Sequence, residues 1–215
     1  MGLTLTPNPD KQSKFIEVPV GTHLARCYQV IDCGMQLDPY TVGETKYKHK
    51  VALLFEVHGK DYAGNPLTVK NGEPMSIDKM YTASIYEKAP FFIDLQNWRG
   101  RPFTAAEKNK FEIKNVLGAW GMISVKTVLK KNGEPKNVMS DISGLPPELK
   151  SKLPVGFNEL KYYDLDDPNQ DVFDSLSPYW RKIIQSSQEY QGLTGKIGDA
   201  STVSKDFDDE DSIPF

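Results

Sequence analysis

Alternation of apolar and polar residues predicts two long β-strands near the start of the chain. In the first, residues 21–34, the even-numbered side chains from Leu24 to Asp32 point one way and their odd-numbered neighbours point the other. The second strand is predicted at 46–58, with one apolar face. Its opposite face carries three lysines: Lys46, Lys48 and Lys50.

Turn and capping signals predict a third strand and two helices in the middle of the chain. The strand is expected at 77–85, after a segment rich in glycine and asparagine turns. Ser84 and Glu87 have the spacing of a capping box. Apolar residues then recur at helical spacing: Phe91, Phe92, Leu95 and Trp98. Thr104 and Glu107 repeat the capping signal for a second, short helix.

Two further strands complete a pattern typical of an OB-fold. Residues 120–129 and 136–142 alternate like strands around a turn at 131–134. The predicted order is three strands, a helix and two strands. This order matches the OB-fold, a mainly β, five-stranded Greek-key barrel whose second and third strands commonly bind nucleic acid. A split β-sandwich gives a similar order, so that alternative stays open.

The chain beyond Pro146 is expected to contain a helix, a linker and a tail. The helix, at 172–188, should pack on the barrel through its apolar side: Phe173, Leu176, Trp180 and Ile183 or Ile184. The predicted organisation is an N-terminal arm at 1–20, an OB-fold domain with a helical C-terminal extension at 21–190, a mobile linker at 191–205 and an acidic tail at 206–215.

Composition favours a globular protein without a cofactor. The chain has 215 residues and is 39% hydrophobic, enough for one substantial core. It has no apolar run that could span a bilayer and no signal-peptide pattern, so we expect a soluble, cytoplasmic protein without membrane contact. Cys27 and Cys33 lie six positions apart in one strand, too far for a disulfide, and indicate buried thiols. The scattered histidines predict no metal site.

Charge is distributed unevenly along the chain. The net charge is −3, but residues 1–160 carry 21 Lys and Arg against 17 Asp and Glu, a net of +4. The last ten residues contribute −5. A mildly basic body with an acidic end suits a protein that binds phosphate and masks its own site.

The tail combines an acidic run with an apolar end. Its residues are Asp206, Phe207, Asp208, Asp209, Glu210, Asp211, Ser212, Ile213, Pro214 and Phe215. This sequence closely resembles the C-terminal tip of bacterial single-stranded-DNA-binding proteins, although Ser212 departs from their commonest spacing. The resemblance implies that Phe215 enters an apolar pocket on a partner such as a polymerase, primase, helicase or nuclease. A purely solubilising tail is the alternative.

Three segments of the body carry a second resemblance. They are Lys79-Met-Tyr-Thr-Ala-Ser84, Leu95-Gln-Asn-Trp-Arg-Gly-Arg-Pro-Phe103 and Leu117-Gly118. Over roughly residues 20–190 the chain resembles a family of tailed-phage proteins described as OB-fold single-stranded-DNA-binding proteins. The resemblance implies a phage protein that coats and protects single strands during DNA replication, recombination or repair in the host cytoplasm.

A sequence-neutral site for single-stranded DNA needs cations for phosphates and aromatic planes for bases. The candidate residues are Lys46, Tyr47, Lys48, Lys50, Lys79, Tyr81, Tyr86, Arg99, Arg101, Lys126 and Lys130. Strand lysines that only keep a surface soluble, and arginines that stabilise helix carbonyls, are the structural alternatives. Trp98 and Trp120 are expected in the core rather than in the site.

No motif predicts an enzyme. The chain has no Walker, Rossmann or catalytic-triad pattern. Asp164, Asp166 and Asp167 fit a solvated loop better than a magnesium site, because no base or nucleophile accompanies them. Two other functions remain open: a strand-annealing recombination protein that assembles rings or filaments, and an interaction adaptor that binds no polynucleotide.

Overall fold

A computed structural model describes residues 17–38 and 47–193. Lys46, the tail and most of the predicted arm and linker lie outside the described residues. The strands are β1 (Gly21–Leu37), β2 (Tyr47–His58), β3 (Met75–Thr82), β4 (Trp120–Leu129), β5 (Pro135–Ser143) and β6 (Lys161–Tyr163). The helices are α1 (Pro90–Arg99), α2 (Ala105–Asn109), α3 (Pro147–Lys150), α4 (Gln170–Ser175), α5 (Pro178–Gln185) and α6 (Gln188–Leu193), with a 3-10 turn at Ile113–Val116.

The fold is mainly β, as predicted, and centres on one six-stranded sheet. Its order is β3-β2-β1-β4-β5, and β6 adds to β1 in parallel while all other pairs are antiparallel. Cα atoms of the edge strands β3 and β5 lie within 8 Å of each other, and Lys79 Nζ donates to the Ser140 carbonyl at 2.5 Å. The sheet is therefore curled, with α1 packed against both edge strands.

Both faces of β2 are buried, in two separate cores. Odd-numbered residues from Val51 to Val57 point into an inner core shared with α1 and β4. Ala52 and Leu54 point into an outer core formed with β6 and the C-terminal helices. Complete burial of a Val, Leu or Phe side chain contributes roughly 1.5–3 kcal/mol. The outer core therefore fixes α4 to α6 on the outside of the sheet, as the amphipathic pattern predicted.

A β-bulge in β1 changes which side chains share a face. The register with β2 shifts between Cys27 and Gln29. Cys27 and Val30 therefore both point into the inner core, while Ile31 points into the outer one. The predicted simple alternation, with Val30 on the same face as Leu24, is wrong because the bulge inserts one extra residue.

The first predicted capping box does not form. Ala89 precedes α1 without a side-chain cap, and Pro90 begins the helix, a position where the missing N–H costs nothing. The Ser84 hydroxyl instead accepts from the Tyr86 N–H, in the turn before the helix. The second box is confirmed, because Thr104 and Glu107 bond each other's backbone at α2.

The single predicted helix at 172–188 is divided into pieces. Phe173 lies in α4 and Trp180 in α5, and the two helices are separated at Pro178. The Ser177 hydroxyl accepts from the Trp180 N–H and caps α5. A proline inside a longer helix would remove one backbone hydrogen bond and clash with the preceding turn, so the helix restarts here.

Cys27 and Cys33 are buried thiols that form no disulfide, as predicted. Burial raises the pKa of both, so they are poor nucleophiles.

In the part of the chain that the structure describes, no helix is long and apolar enough to cross a membrane.

Candidate nucleic-acid interface

A groove lies between α1, α2, the 3-10 turn and the beginning of β4. Its volume is about 550 Å³. Four aromatic residues line it: Trp98, Phe103, Phe111 and Trp120. The same walls carry the cations Arg99 and Lys110 and the carboxylate of Glu107. Rings and cations are thus interleaved on one concave surface.

Trp98 forms the floor of this groove and belongs to the inner core, as predicted. Its ring packs on Phe55 with centroids 5.5 Å apart, and its Nε1 donates to the Trp120 carbonyl at 2.8 Å. A Cβ at Gly121 would stand only 2.6 Å from Nε1. Glycine is therefore required at this position for the Trp98 ring to reach β4.

Phe103 and Phe111 form one wall of the groove. Their rings meet edge to face, with centroids 5.3 Å apart and planes at 81°. The Arg99 guanidinium lies 4.0 Å from the Phe103 ring centroid, a cation–π contact. Among the described residues, Arg99 Nη1 has no hydrogen-bond acceptor although it is buried. The Phe103 ring face therefore contacts a guanidinium whose other terminal nitrogen, Nη2, is paired with the Glu107 carboxylate.

Trp120 stands at the opposite end of the groove and is only half-buried, so the prediction that it lies in the core is wrong. Its ring lies 4.9 Å from that of His58 and 6.0 Å from the Arg26 guanidinium. In β4 the odd-numbered Ile123 and Val125 point into the inner core, so the even-numbered Trp120 points to the outer face, where Arg26 and His58 lie.

A carboxylate joins the two arginines that sequence analysis proposed. Glu107 accepts from Arg99 Nη2 at 2.7 Å and from Arg101 Nη2 at 2.6 Å, and also from the Thr104 backbone N–H. The hydrogen bonds from Arg101 and Arg99 hold the pKa of Glu107 well below its usual range. The arginines therefore bind this carboxylate instead of capping α1 carbonyls, and the trio keeps one net positive charge.

A second carboxylate collects two candidates from β3. Asp94 of α1 accepts from Lys79 Nζ at 2.9 Å and from the Tyr81 hydroxyl at 2.8 Å. Tyr81 is only 4% exposed. Burial, with the neighbouring Asp94 charge, raises its pKa well above the ordinary value. Tyr81 cannot stack on a base here. Lys79 bonds Asp94 and the Ser140 carbonyl, and so connects β3 to α1 and β5.

The lysines of β2 lie at the far end of that strand, in acidic surroundings. Lys48 forms an ion pair with the buried Asp38, and Lys50 is half-buried opposite Gly34 of β1. Tyr47 is also half-buried. None of the three lines the groove. Their expected role as a continuous cationic row is weakened, because Lys48 already has an acidic partner.

The remaining candidates stand on other elements. Tyr86 is 65% exposed and precedes α1. Lys126 is exposed near the end of β4, and Lys130 begins the hairpin that leads to β5. Of all the described candidates, Arg99 alone lines the groove.

Sequence reasoning missed Phe103, Phe111 and Lys110 as site residues. The available signal was the position of two isolated aromatics in an otherwise polar segment, 101–115. Such rings have no strand or helix of their own to bury them, so they either cover a neighbouring core or line a site. Here they do both, because they pack against the inner core and face the groove.

Sequence reasoning also missed a pinned segment beside Trp120. Residues 155–160, which we call the strap, cross the outside of β1 and β2 without regular structure. Glu56 is fully buried and accepts from the backbone N–H groups of Phe157 and Asn158 at 3.0 and 2.7 Å. Its other partners are Arg26, at 2.8 Å, and His58, at 3.1 Å.

Within residues 17–38 and 47–193, no three His, Cys, Asp or Glu side chains lie close enough together to hold a metal ion. Asp164 accepts a hydrogen bond from the Asp166 N–H in a turn.

Comparison with protein-family models and with curated proteins gives no match.

Proposed function

We propose that this protein binds single-stranded DNA without reading its sequence, and that the groove is part of its binding surface. The observation that carries the proposal is the combination of three half-buried aromatic residues, Phe103, Phe111 and Trp120, with Arg99 and Lys110 around one groove. Rings stack on any base, and each stacked base contributes about 1–3 kcal/mol. Cations beside the rings contact phosphates whatever the base.

The arrangement of strands supports an OB-fold as the scaffold. The long β1 pairs with both β2 and β4, and α1 and α2 lie between β3 and β4. We expect this connectivity in a Greek-key OB barrel. The outer side of β2, a common binding face in such folds, is covered here by α4 to α6 through Ala52 and Leu54. The groove at α1 and β4 offers rings and cations instead.

The acidic tail has a separate role in the proposal. Residues 206–215 recruit replication or recombination proteins through their apolar tip, as their resemblance to bacterial tips implies. When no DNA is bound, the same acids are attracted to the basic groove and compete with phosphate for it. A tethered competitor acts at high effective concentration, so its influence is strongest at low salt.

The direct test is a fluorescence-anisotropy titration of labelled oligo-dT, at two salt concentrations, beside a duplex of equal length. We expect tight binding to the single strand that weakens steeply with salt, and weaker binding to the duplex. No binding to any polynucleotide, even at low salt and after removal of residues 206–215, would leave the interaction adaptor as the function.

A charge-neutral variant tests the groove itself. Lys110→Gln removes a groove cation, and Lys70→Gln removes an exposed lysine that does not line it. We expect Lys110→Gln to weaken oligo-dT binding and to reduce the slope of log affinity against log salt by about 0.7. Equal effects of the two changes on oligo-dT affinity would indicate that the binding site lies outside the groove.

The strand-annealing alternative needs its own measurement. Sizing by light scattering, with an annealing assay on complementary oligonucleotides, separates it from a coating protein. Rings or filaments together with accelerated pairing would favour annealing, whereas inhibition of pairing fits coating.

A further inference from the structure

We propose that Phe157, on the strap, is a base-stacking residue that extends the single-strand path beyond the groove. This inference rests on the proposed function and adds a residue that the groove does not contain. Four observations carry it: the anchoring of the strap, the close approach of Gly156, the exposure of the Phe157 ring and the contact between strap and groove.

Anchoring fixes the backbone on both sides of the ring. Both carboxylate oxygens of the buried Glu56 are used, one by the Phe157 N–H and the other by the Asn158 N–H and side-chain amide. In the opposite direction, Arg26 Nη2 donates to the Asn158 carbonyl at 2.5 Å. A strap bound through its backbone in this way positions the Phe157 ring independently of what the ring contacts.

The residue before Phe157 confirms how closely the strap is held. A Cβ on Gly156 would lie 1.7 Å from Arg26 Cζ. No other amino acid fits without displacing the guanidinium, so the glycine lies flat on the Arg26–Glu56 ion pair. Close packing on one side of the strap turns the neighbouring side chains away from the sheet.

The outward side chains are large and apolar. Val155 is 92% exposed and Phe157 is 57% exposed. With Leu160, which is 49% exposed, they make the strap an apolar stretch of surface, and contiguous exposed apolar surface marks a binding site. Because the backbone is already fixed, stacking on Phe157 loses little conformational entropy, which favours binding.

The strap is in contact with the end of the groove. Arg26 lies under Gly156 on one side and against Trp120 on the other. Farther along, Leu160 Cδ1 lies 3.1 Å from the position a Gly118 Cβ would take. Gly118 is two residues before Trp120, which lines the groove. A strand stacked at Trp120 therefore reaches Phe157 by continuing along the same surface.

Three substitutions test the ring. Phe157→Ala removes it, Phe157→Leu keeps an apolar side chain without a ring, and Val155→Ala is the control on the same strap. We expect both Phe157 variants to weaken oligo-dT affinity by roughly 5- to 100-fold, the effect of one lost stacked base. Val155→Ala should stay within about twofold of wild type. Matching melting temperatures show that the variants are folded.

Photo-crosslinking of the unmodified protein gives a second readout. Oligonucleotides carrying 5-iodo-deoxyuridine are irradiated with the full chain, and the attached peptide is identified by mass spectrometry. Attachment at Phe157 supports the inference. It is overturned if Phe157→Leu binds like wild type, or if wild type binds oligo-dT but crosslinks only elsewhere. In that case the groove proposal survives, whereas absence of any binding by wild type overturns both.

Discussion

Two carboxylates of this protein, Glu56 and Glu107, have similar partners and opposite surroundings. Each forms an ion pair with a guanidinium and accepts from at least one backbone N–H group. Glu56 is completely buried and bonds residues 101 and 102 positions away. The Glu107 side chain is 33% exposed, and its partners lie within eight positions of it.

This difference in burial distinguishes an ion pair that stabilises the fold from one whose arginine a ligand can bind. The Arg26–Glu56 pair has lost its water, so its attraction is strong and removal of one partner leaves an uncompensated charge. The Arg99–Glu107 pair is screened by solvent and contributes little to stability. A phosphate can therefore compete for Arg99, whereas Arg26 stays bound to the strap.

The largest effect is expected from Glu56→Gln. It keeps the shape of the side chain but leaves Arg26 without its counter-charge and removes one of the acceptors for the strap. We expect a loss of about 3–5 kcal/mol in the free energy of unfolding, measured by urea denaturation. A loss below about 1 kcal/mol would mean that the strap is not held by this charge.

The pH dependence of the same pair sharpens the test. Burial alone would raise the pKa of Glu56, but hydrogen bonds from Asn158, His58 and Phe157 outweigh it, and the pKa is lowered from 4.5. A lowered folded-state pKa means that the stabilisation is present above about pH 4.5 and disappears as pH falls through the folded value. The difference between wild type and Glu56→Gln should therefore shrink in acid.

An intermediate effect is expected from Asp94→Asn. Asp94 is nearly buried and holds Lys79 and Tyr81, so it resembles Glu56 more than Glu107. The change leaves the Lys79 charge against a neutral amide, while the Tyr81 hydroxyl keeps an acceptor. We expect a loss of about 1–3 kcal/mol by urea denaturation. An unchanged free energy of unfolding would show that Asp94 contributes as little to stability as the exposed Glu107.

A smaller effect, of opposite sign for binding, is expected from Glu107→Gln. Glutamine keeps the capping bond to Thr104, and the melting temperature should change by no more than about 2 °C. Loss of the negative charge frees Arg99 and Arg101 for phosphate. Oligo-dT affinity should rise by about two- to fivefold, with a steeper salt dependence. Weaker binding would show that Glu107 is needed to position the arginines.

The alternation of apolar residues predicted the strands well because both cores require it. Strand β4 was predicted with its observed bounds, Trp120–Leu129, and β5 differed by one residue at each end. The β1 bulge was not predictable, since apolar residues occupy both faces of the strand near the extra residue, at Cys27, Tyr28, Val30 and Ile31. Likewise, the three-residue β6 is too short to show a period.

The candidate site was harder to predict, because a charged residue in a sequence does not show its partner. Lys79, Arg99 and Arg101 looked like cations for phosphate, yet each meets a carboxylate that only the folded chain brings near. Glu56 is an exception, because a lone acid inside the apolar run 51–57 does indicate its surroundings. An acid in that context predicts a buried ion pair, and Arg26 in the neighbouring strand provides it.

The smallest effect is expected at His49, whose side chain is 45% exposed. Its Nε2 lies 2.6 Å from Asp32 Oδ1, and this hydrogen bond raises its pKa, with the Glu189 and Asp166 carboxylates acting in the same direction. A raised folded-state pKa means that the stabilisation is present below about pH 6.5 and is lost as pH rises through the folded value. Solvent screening limits it to a few tenths of a kcal/mol. Urea denaturation of wild type and His49→Gln should show the difference near pH 6 and none near pH 9, and a difference that grows with pH would contradict the assignment.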